Sequence, residues 1–170
     1  GTQVVHSQLR RSVELTSLYD DLSEAQHKPT TTVLSLTTKP ADAHLTESLR
    51  ITEGEKVHHL KRLRLMDGEP LAIMRNWIPA SLLSISKEDL EETGLYELLR
   101  RQGLAVRVAN QRIGATIASA ADARLLGLKS GAPLLVMERT AFDDSGRVVE
   151  TSSHKYRADS YSFETTLVAH

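Results

Sequence analysis

Two arginines separated by one residue, Arg62 and Arg64, are the side chains with the clearest chemical potential in this sequence. They lie in a run from Lys56 to Met66 that predicts a β-strand. Because side chains alternate between the faces of a strand, both guanidinium groups point to one face, together with Leu60 and Met66. Such a pair could hold the carboxylate or phosphate oxygens of an anionic ligand. It could equally form surface salt bridges of little energetic value, and the sequence leaves both interpretations open.

The strand that follows the Asp67-Gly68 pair decides which side chains face the arginines. This dipeptide favours a hairpin, and its return strand is predicted at about 69–78. Because a shift of one residue turns every side chain to the other face, the type of turn matters. Two sets of residues therefore compete for the arginine face: Leu71, Ile73 and Arg75 if the turn has two residues, or Ala72, Met74 and Asn76 if it is longer and bulged.

A second polar group lies on the strand predicted at about 147–157. One face carries Glu150, Ser152, His154 and Tyr156, and the other carries Val149, Thr151, Ser153 and Lys155. A strand that is polar on both faces cannot simply cover an apolar core. It is either an edge strand in solvent, or one of its faces lines a polar cavity, and the pattern leaves both alternatives open.

The hydroxyl pair Thr16 and Ser17 is a third candidate. Both residues belong to a helix predicted from Ser12 to the Lys28-Pro29 pair, beside the apolar positions of that helix. Their hydroxyls could bind an anion, or they could bond back to the helix backbone, which is the more common fate.

Several kinds of chemistry are not supported by the sequence. The chain has no cysteine, which excludes disulfides, thiolate catalysis and cysteine-based metal sites. It also lacks a His-Glu-x-x-His motif, a Gly-x-Ser-x-Gly motif, a glycine-rich phosphate loop and a dinucleotide fingerprint. The Asp143-Asp144 pair is typical of a turn rather than of an acid/base pair. We therefore predict no catalytic residues, no metal and no cofactor.

The composition limits the partners of the chain. A length of 170 residues suits one domain, and a net charge of −1 without a basic run predicts that it does not hold DNA by itself. No apolar stretch is long enough to cross a bilayer, so no membrane partner is predicted. The absence of cysteine is compatible with a cytoplasmic location, which we expect.

The predicted elements describe an α+β domain. Residues 1–12 read as a linker, and helices are predicted from Ser12, at 42–49, at 87–101 and between Ser119 and Gly127. Strands are predicted at about 31–38, 56–66, 69–78, 104–117, 133–142, 147–157 and 161–168. Because several strands are joined by hairpins, they should form a single antiparallel β-sheet with helices packed against it.

Seven segments together resemble the UTRA domain, the effector-binding half of HutC-type regulators in the GntR family of bacterial transcription factors. In chain order they are Leu15–Leu22, Arg62–Arg64 with Gly68–Pro70, Trp77–Pro79, Leu95–Leu99, Ala120–Leu128, Gly131–Leu135 and Tyr156–Phe163. Gly1–Val5 is similar to the end of the wing in the DNA-binding domain of such regulators. The resemblance implies a chorismate-lyase-like fold, with residues 1–12 as the linker from a missing DNA-binding domain and residues 13–170 as the effector-binding domain.

The resemblance also implies a homodimer, a small anionic effector and a set of binding residues. In members that respond to amino sugars, the residues matching Arg62 and Arg64 hold the effector's phosphate, with Thr16 or Ser17 nearby. Residues matching Glu150 and Tyr156 face the sugar, and Ser152 shares their face of the strand. Two positions depart from that pattern. Those members have a glutamate where this chain has Met74, which weakens the case for an amino sugar, and they have a serine near the position of Arg107, where a third arginine favours a more anionic effector.

Three functions remain open from the sequence. The preferred hypothesis is a ligand-sensing domain that is not an enzyme, binds a sugar phosphate or similar acid, and transmits this to DNA-binding domains. The alternative is a chorismate-lyase-like enzyme acting on a small carboxylate, because a shared fold does not decide function. The third is a dimerisation module with a vestigial pocket.

Overall fold

The computed structural model describes the backbone of residues 9–12 and all of residues 27–169. The strands are β1 (Leu9–Ser12), β2 (Pro29–Pro40), β3 (Lys56–Met66), β4 (Glu69–Pro79), β5 (Val108–Ile117), β6 (Pro133–Phe142), β7 (Val148–Arg157) and β8 (Tyr161–Glu164). The helices are α1 (Ala43–Leu49), α2 (Lys87–Glu92), α3 (Leu95–Arg101) and α4 (Ala120–Leu126). The helix predicted from Ser12, and with it Thr16 and Ser17, lies outside the described residues.

Six of these strands form one antiparallel sheet in the order β2-β3-β4-β7-β6-β5. The predicted α+β, chorismate-lyase-like architecture is confirmed. The last strand departs from the prediction, because β8 ends at Glu164 and pairs in parallel with β1 instead of joining the six-stranded sheet.

The turn between β3 and β4 combines the two predicted alternatives. Asp67 and Gly68 have φ values of 51° and 84°, as a two-residue hairpin turn of the I′ type requires. The register then shifts, since Leu65 lies opposite Pro70 but Arg64 lies opposite Ala72, which leaves one extra residue in β4. The bulge therefore turns Ala72, Met74 and Asn76 toward the arginine face.

The helix predicted over 87–101 is two helices. Ser86 caps α2 as expected, because its hydroxyl accepts the N–H of Asp89. Thr93 then adopts an extended conformation, and α3 begins after Gly94, a residue with low helix propensity. The break allows Leu90 of α2 and Leu95 of α3 both to be buried in the same apolar cluster.

Apolar clusters lie on both faces of the sheet. On the inner face, defined as the face that carries Arg62 and Arg64, helices α2 and α3 cover one end. The opposite end of this face holds a second cluster built from β4, β6, β7 and β8, which includes Met74, Met137, Tyr156 and Tyr161. Helices α1 and α4 cover parts of the outer face. Polar side chains occupy the inner face between its two apolar clusters.

Candidate functional site

A row of polar side chains crosses the inner face from one edge of the sheet to the other. Cross-strand register puts them on one face, since Arg64 lies opposite Thr31 and Asn76 lies opposite Ser152. We call this row the polar belt; its members are Thr31 of β2, Arg62 and Arg64 of β3, Asn76 of β4, Glu150, Ser152 and His154 of β7, Arg139 of β6 and Gln111 of β5. All except the half-buried Gln111 are buried.

Asn76 bridges a buried cation and a buried anion. Nη2 of Arg62 donates to Oδ1 of Asn76 at 3.0 Å, and Nδ2 of Asn76 donates to Oε2 of Glu150 at 2.8 Å. The two partners fix the orientation of the amide, because its oxygen must face the arginine and its nitrogen the carboxylate. One edge of the Arg62 guanidinium is thus anchored to the belt.

The rest of the Arg62 guanidinium has donors that could bind a further group. The residue is only 1% exposed, yet its Nε and Nη1 find no hydrogen-bond acceptor within the described part of the chain. Burial lowers the pKa of Arg62 to about 10, while the charges of Glu150 and Tyr156 act in the opposite direction. The side chain therefore stays cationic at neutral pH, and a buried cation with unmet donors favours an anion.

Ser152 adds a second unmet group on the same face. Its Oγ is buried and has no partner among residues 27–169. Ser152 lies between Asn76 and Arg139 in the register of β4, β7 and β6. A hydroxyl in this position can donate to or accept from a polar ligand.

At the end of the belt nearest β5, Arg139 has hydrogen-bond partners of its own. Its Nε and Nη2 donate to Oε1 of Gln111 at 3.1 and 2.7 Å, and its Nη1 donates to the hydroxyl of Tyr96 at 3.0 Å. Burial, followed by the charge of Glu150, raises the pKa of Tyr96, so this phenol stays protonated. It donates to Glu150, which joins Arg139 to Asn76 and Arg62 through one network.

Arg64 and an aromatic stack border the other side of Arg62. Nη1 of Arg64 donates to the hydroxyl of Thr31 on β2. The ring of Tyr156 stacks on that of Tyr161 with centroids 4.6 Å apart and planes 11° apart, and the Tyr156 hydroxyl lies 3.2 Å from Nδ1 of His154. Since Tyr161 belongs to β8, the stack connects the belt to the β1-β8 pair.

The structure brings six of the predicted site residues to one face: Arg62, Arg64, Met74, Glu150, Ser152 and Tyr156. The edge-strand alternative for residues 147–157 is wrong, because β7 lies between β4 and β6 and its polar inner face is buried. Arg107 differs from the other candidates: it is exposed and precedes β5. Thr16 and Ser17 are not among the described residues.

Sequence reasoning missed four members of the network: Asn76, Arg139, Gln111 and Tyr96. Asn76 appeared only as one of two register alternatives. Arg139 had a weak signal, as a charge within the largely apolar run of β6. Tyr96 had none, because its contact depends on where α3 lies over the sheet.

A separate groove of about 600 Å³ lies on the outer face, with His44, Trp77 and Glu138 in its lining. Its exposed charged side chains, Arg112 and Glu138, are of opposite sign, and the buried Arg139 that also lines it already donates to Gln111 and Tyr96. The groove therefore offers no buried charge with unmet donors of the kind that marks the inner face. Across residues 27–169 there is also no cluster of three or more potential metal ligands, and none of the described helices has the length and apolar character needed to cross a membrane.

Known proteins resemble this chain in both sequence and fold. The family model of the UTRA domain matches residues 24–162. The HTH-type transcriptional repressor NagR of Bacillus subtilis is 26% identical over 165 residues, which cover 96% of this chain and 68% of that protein.

Two crystal structures give the same result. A transcriptional regulator from Streptomyces coelicolor is 45% identical, with a TM-score of 0.78 over 85% of this chain and 96% of that one. The ligand-binding domain of a GntR-family regulator from Bordetella bronchiseptica is 26% identical, with a TM-score of 0.77 over 83% of this chain and 90% of that one.

Proposed function

Because the chain belongs to the UTRA domain family and the relatives described above are transcriptional regulators, we propose that its polar belt binds a small anionic effector, such as a sugar phosphate or a similar acid. In this proposal residues 13–170 form the effector-binding domain, and residues 1–12 link it to a DNA-binding domain. A regulator of this kind acts on DNA in the bacterial cytoplasm.

The observation that carries the proposal is the buried guanidinium of Arg62. Its Nε and Nη1 lack acceptors among the described residues, and Glu150, the carboxylate of the belt, is already engaged by Asn76 and Tyr96. A ligand oxygen is the simplest group to complete its coordination. Arg64, buried two residues away on the same face, is the second proposed contact.

The charge of the belt supports an acidic effector. The belt contains three guanidinium groups and one carboxylate, that of Glu150. The guanidinium groups belong to Arg62, Arg64 and Arg139. An effector with up to two negative charges would balance this excess. Met74, buried opposite Arg62, offers no acceptor of the kind that an amino group needs, which supports a neutral or apolar body for the effector.

A route from the belt to the linker supports a sensing role. Tyr156 borders the belt and stacks on Tyr161, and Tyr161 lies opposite Leu9 in the β1-β8 pair. We propose that an effector in contact with Tyr156 biases the position of β1, and so of the attached DNA-binding domains. A shift of population between two arrangements needs only a difference in affinity between them.

The test is calorimetry and thermal shift with sugar phosphates, dicarboxylates, monocarboxylates and their uncharged analogues. An anionic compound should bind, and Arg62→Met should weaken its affinity by at least about 100-fold, because two charge-assisted bonds are lost. Arg101→Met, an exposed arginine on α3, is the control and should bind normally. Arg107→Met measures whether this exposed arginine, which lies outside the belt, contributes to binding.

Three outcomes would contradict the proposal. The first is unchanged affinity in a folded Arg62→Met protein, and the second is a response to uncharged compounds alone. The third is turnover of chorismate, which would support the enzyme hypothesis instead. Urea unfolding of each variant distinguishes lost binding from lost folding.

A further inference from the structure

The outer face of the sheet carries a pair of cations without a counterion. Lys61 of β3 lies directly opposite Arg75 of β4, and both side chains are half-buried. Like charges directly opposite each other destabilise a strand pair. The next residues along the same row are serines, Ser35 of β2 and Ser153 of β7. Within the described part of the chain, neither cation has an ion pair or a side-chain hydrogen bond.

Two acids on the outer face do not neutralise this pair. Asp122 of α4 already accepts from Nζ of Lys155 at 2.8 Å. Glu138 is exposed and lies two strands from Arg75, which is about 10 Å across a sheet. The row therefore keeps an excess of positive charge, which an anion from outside the chain would balance.

An aromatic stack lies beside the two cations. The rings of His59 and Trp77 are parallel within 1°, with centroids 4.9 Å apart. They are the next cross-strand pair on the same face, two residues from Lys61 and Arg75 along β3 and β4. Burial, followed by the charges of Arg75, Lys61 and Lys39, lowers the pKa of His59. The imidazole is therefore mostly neutral at pH 7 and leaves the cations uncompensated.

A cavity of about 170 Å³ opens between the cations and the stack. It is lined by residues of β4, β7 and α4, among them Arg75, Trp77 and Ser153. It adjoins the larger outer-face groove, because Trp77 and Ser153 line both. An aromatic wall, a cation and a hydroxyl thus meet at one opening, and a few polar groups beside aromatic surface are typical of a small-molecule pocket.

From these observations we propose that the outer face holds a second anion site, in which Arg75 and Lys61 bind a carboxylate or phosphate carried on a flat ring. Trp77 packs against that ring, as aromatic groups do at centroid separations of about 4.5–7 Å. The hydroxyl of Ser153, opposite Arg75, can donate to the same anion. The site goes beyond the proposed function, because the sheet separates it from Arg62 and the polar belt.

The first test uses Trp77 as a reporter, because it is the only tryptophan in the chain. Benzoate and adenosine monophosphate are titrated by tryptophan fluorescence, together with their uncharged analogues benzamide and adenosine. The titration is repeated with Arg62→Met, which removes the main proposed anion contact of the inner face. At least one of the two anions should give a saturable change in both proteins, and the uncharged analogues should not.

Substitution of the cations should abolish that response. Arg75→Met should weaken the affinity for the anion at least about tenfold, because a charge-assisted hydrogen bond is lost, and Lys61→Met should also weaken it. Lys56→Met is the matched control, since Lys56 is exposed and belongs to the other face of the same strand. It removes the same charge and should leave the affinity unchanged. Thermal unfolding verifies that each variant folds.

The second test follows the pKa of His59 by NMR. An anion bound beside Arg75 and Lys61 offsets the charges that lower this pKa, so saturation with the anion should raise it. Benzamide and adenosine should leave it unchanged. Because the chain has seven histidines, His59→Gln identifies the resonance.

Three results would overturn the proposal. The first is no fluorescence response to either anion, and the second is a response that Arg62→Met abolishes, which would assign it to the inner face. The third is a response that folded Arg75→Met and Lys61→Met proteins both retain in full. Inorganic phosphate that binds as tightly as the ring-bearing anions would contradict the role of Trp77. Because Arg62→Met tests the inner face and Arg75→Met the outer face, either proposal can fail without the other.

Discussion

Asn76 illustrates how one neutral side chain can hold two buried charges. Its amide donates to Glu150 and accepts from Arg62, so the cation and the anion are connected without forming a direct pair. This leaves an edge of the Arg62 guanidinium available to a ligand. A direct salt bridge in the same place would have occupied the donors that the proposed anion requires.

Asn76→Leu should destabilise the protein by roughly 2–4 kcal/mol, because both hydrogen bonds are lost while the charges they served stay buried. Urea unfolding at a fixed protein concentration measures the change. Asn110→Leu, at an exposed position of β5, should alter the free energy of unfolding by no more than about 0.5 kcal/mol. Equal effects of the two substitutions would mean that the Asn76 bridge contributes nothing specific to stability.

The hairpin between β6 and β7 depends on one carboxylate. Asp143 accepts bonds from the Ser145 hydroxyl at 2.7 Å, from the backbone N–H groups of Ser145 and Arg147, and from Nε of Arg147 at 3.0 Å. These bonds, that of the Ser145 hydroxyl above all, hold the pKa of Asp143 below its usual value. The interpretation of Asp143 as a turn residue is confirmed.

The Asp143 hairpin should therefore lose stability in acid. A carboxyl group whose pKa is lower in the folded state than in the unfolded state stabilises the fold at pH values above its unfolded pKa of about 3.9. This stabilisation is lost as the pH falls through the folded pKa. The melting temperature of Asp143→Asn should lie below that of the native chain at pH 6, and the gap should shrink between about pH 4 and pH 2. The exposed neighbour Asp144→Asn is the control, and its melting temperature at pH 6 should stay close to that of the native chain. A gap that is constant with pH would contradict the role given to the charge.

At the scale of the whole molecule, the belt, the aromatic stack and the β1-β8 pair form one continuous path. Tyr161 contacts the rings of both Tyr156 and Phe163. Phe163 lies opposite Arg11 of β1, and Tyr161 lies opposite Leu9. The aromatic contacts thus connect the proposed site to strand β1.

Tyr161→Ala should break this connection. Loss of this buried aromatic ring should lower the free energy of unfolding of the whole domain by about 3–5 kcal/mol. Hydrogen exchange should in addition speed up more at residues 9–12 and 161–164 than in β3 and β4, because β8 loses its anchor to the core. Leu167→Ala, an exposed residue beyond β8, should leave both measurements unchanged. Uniform acceleration throughout the sheet would argue against a local connection.

The sequence by itself determined the local features of this protein. The alternation around Arg62 and Arg64, the polar face of β7 and the bounds of β3 and β6 could all be predicted, because they depend on residue type and on a period of two. The order of the predicted helices and strands indicated the α+β class, and the seven family-like segments added the chorismate-lyase-like fold and a ligand-sensing role. Each of these features depends on the types and spacing of a few neighbouring residues.

Only the tertiary structure decided how those features meet. The bulge in β4 turned Asn76 to the arginine face, the strand order placed β7 at the centre of the sheet, and α3 brought Tyr96 onto Glu150. Strand order, register shifts and helix placement depend on contacts between distant residues, whose energies no local pattern contains. The same contacts bury Arg62 with unmet donors, and this burial makes the arginine pair a candidate anion site rather than a surface charge.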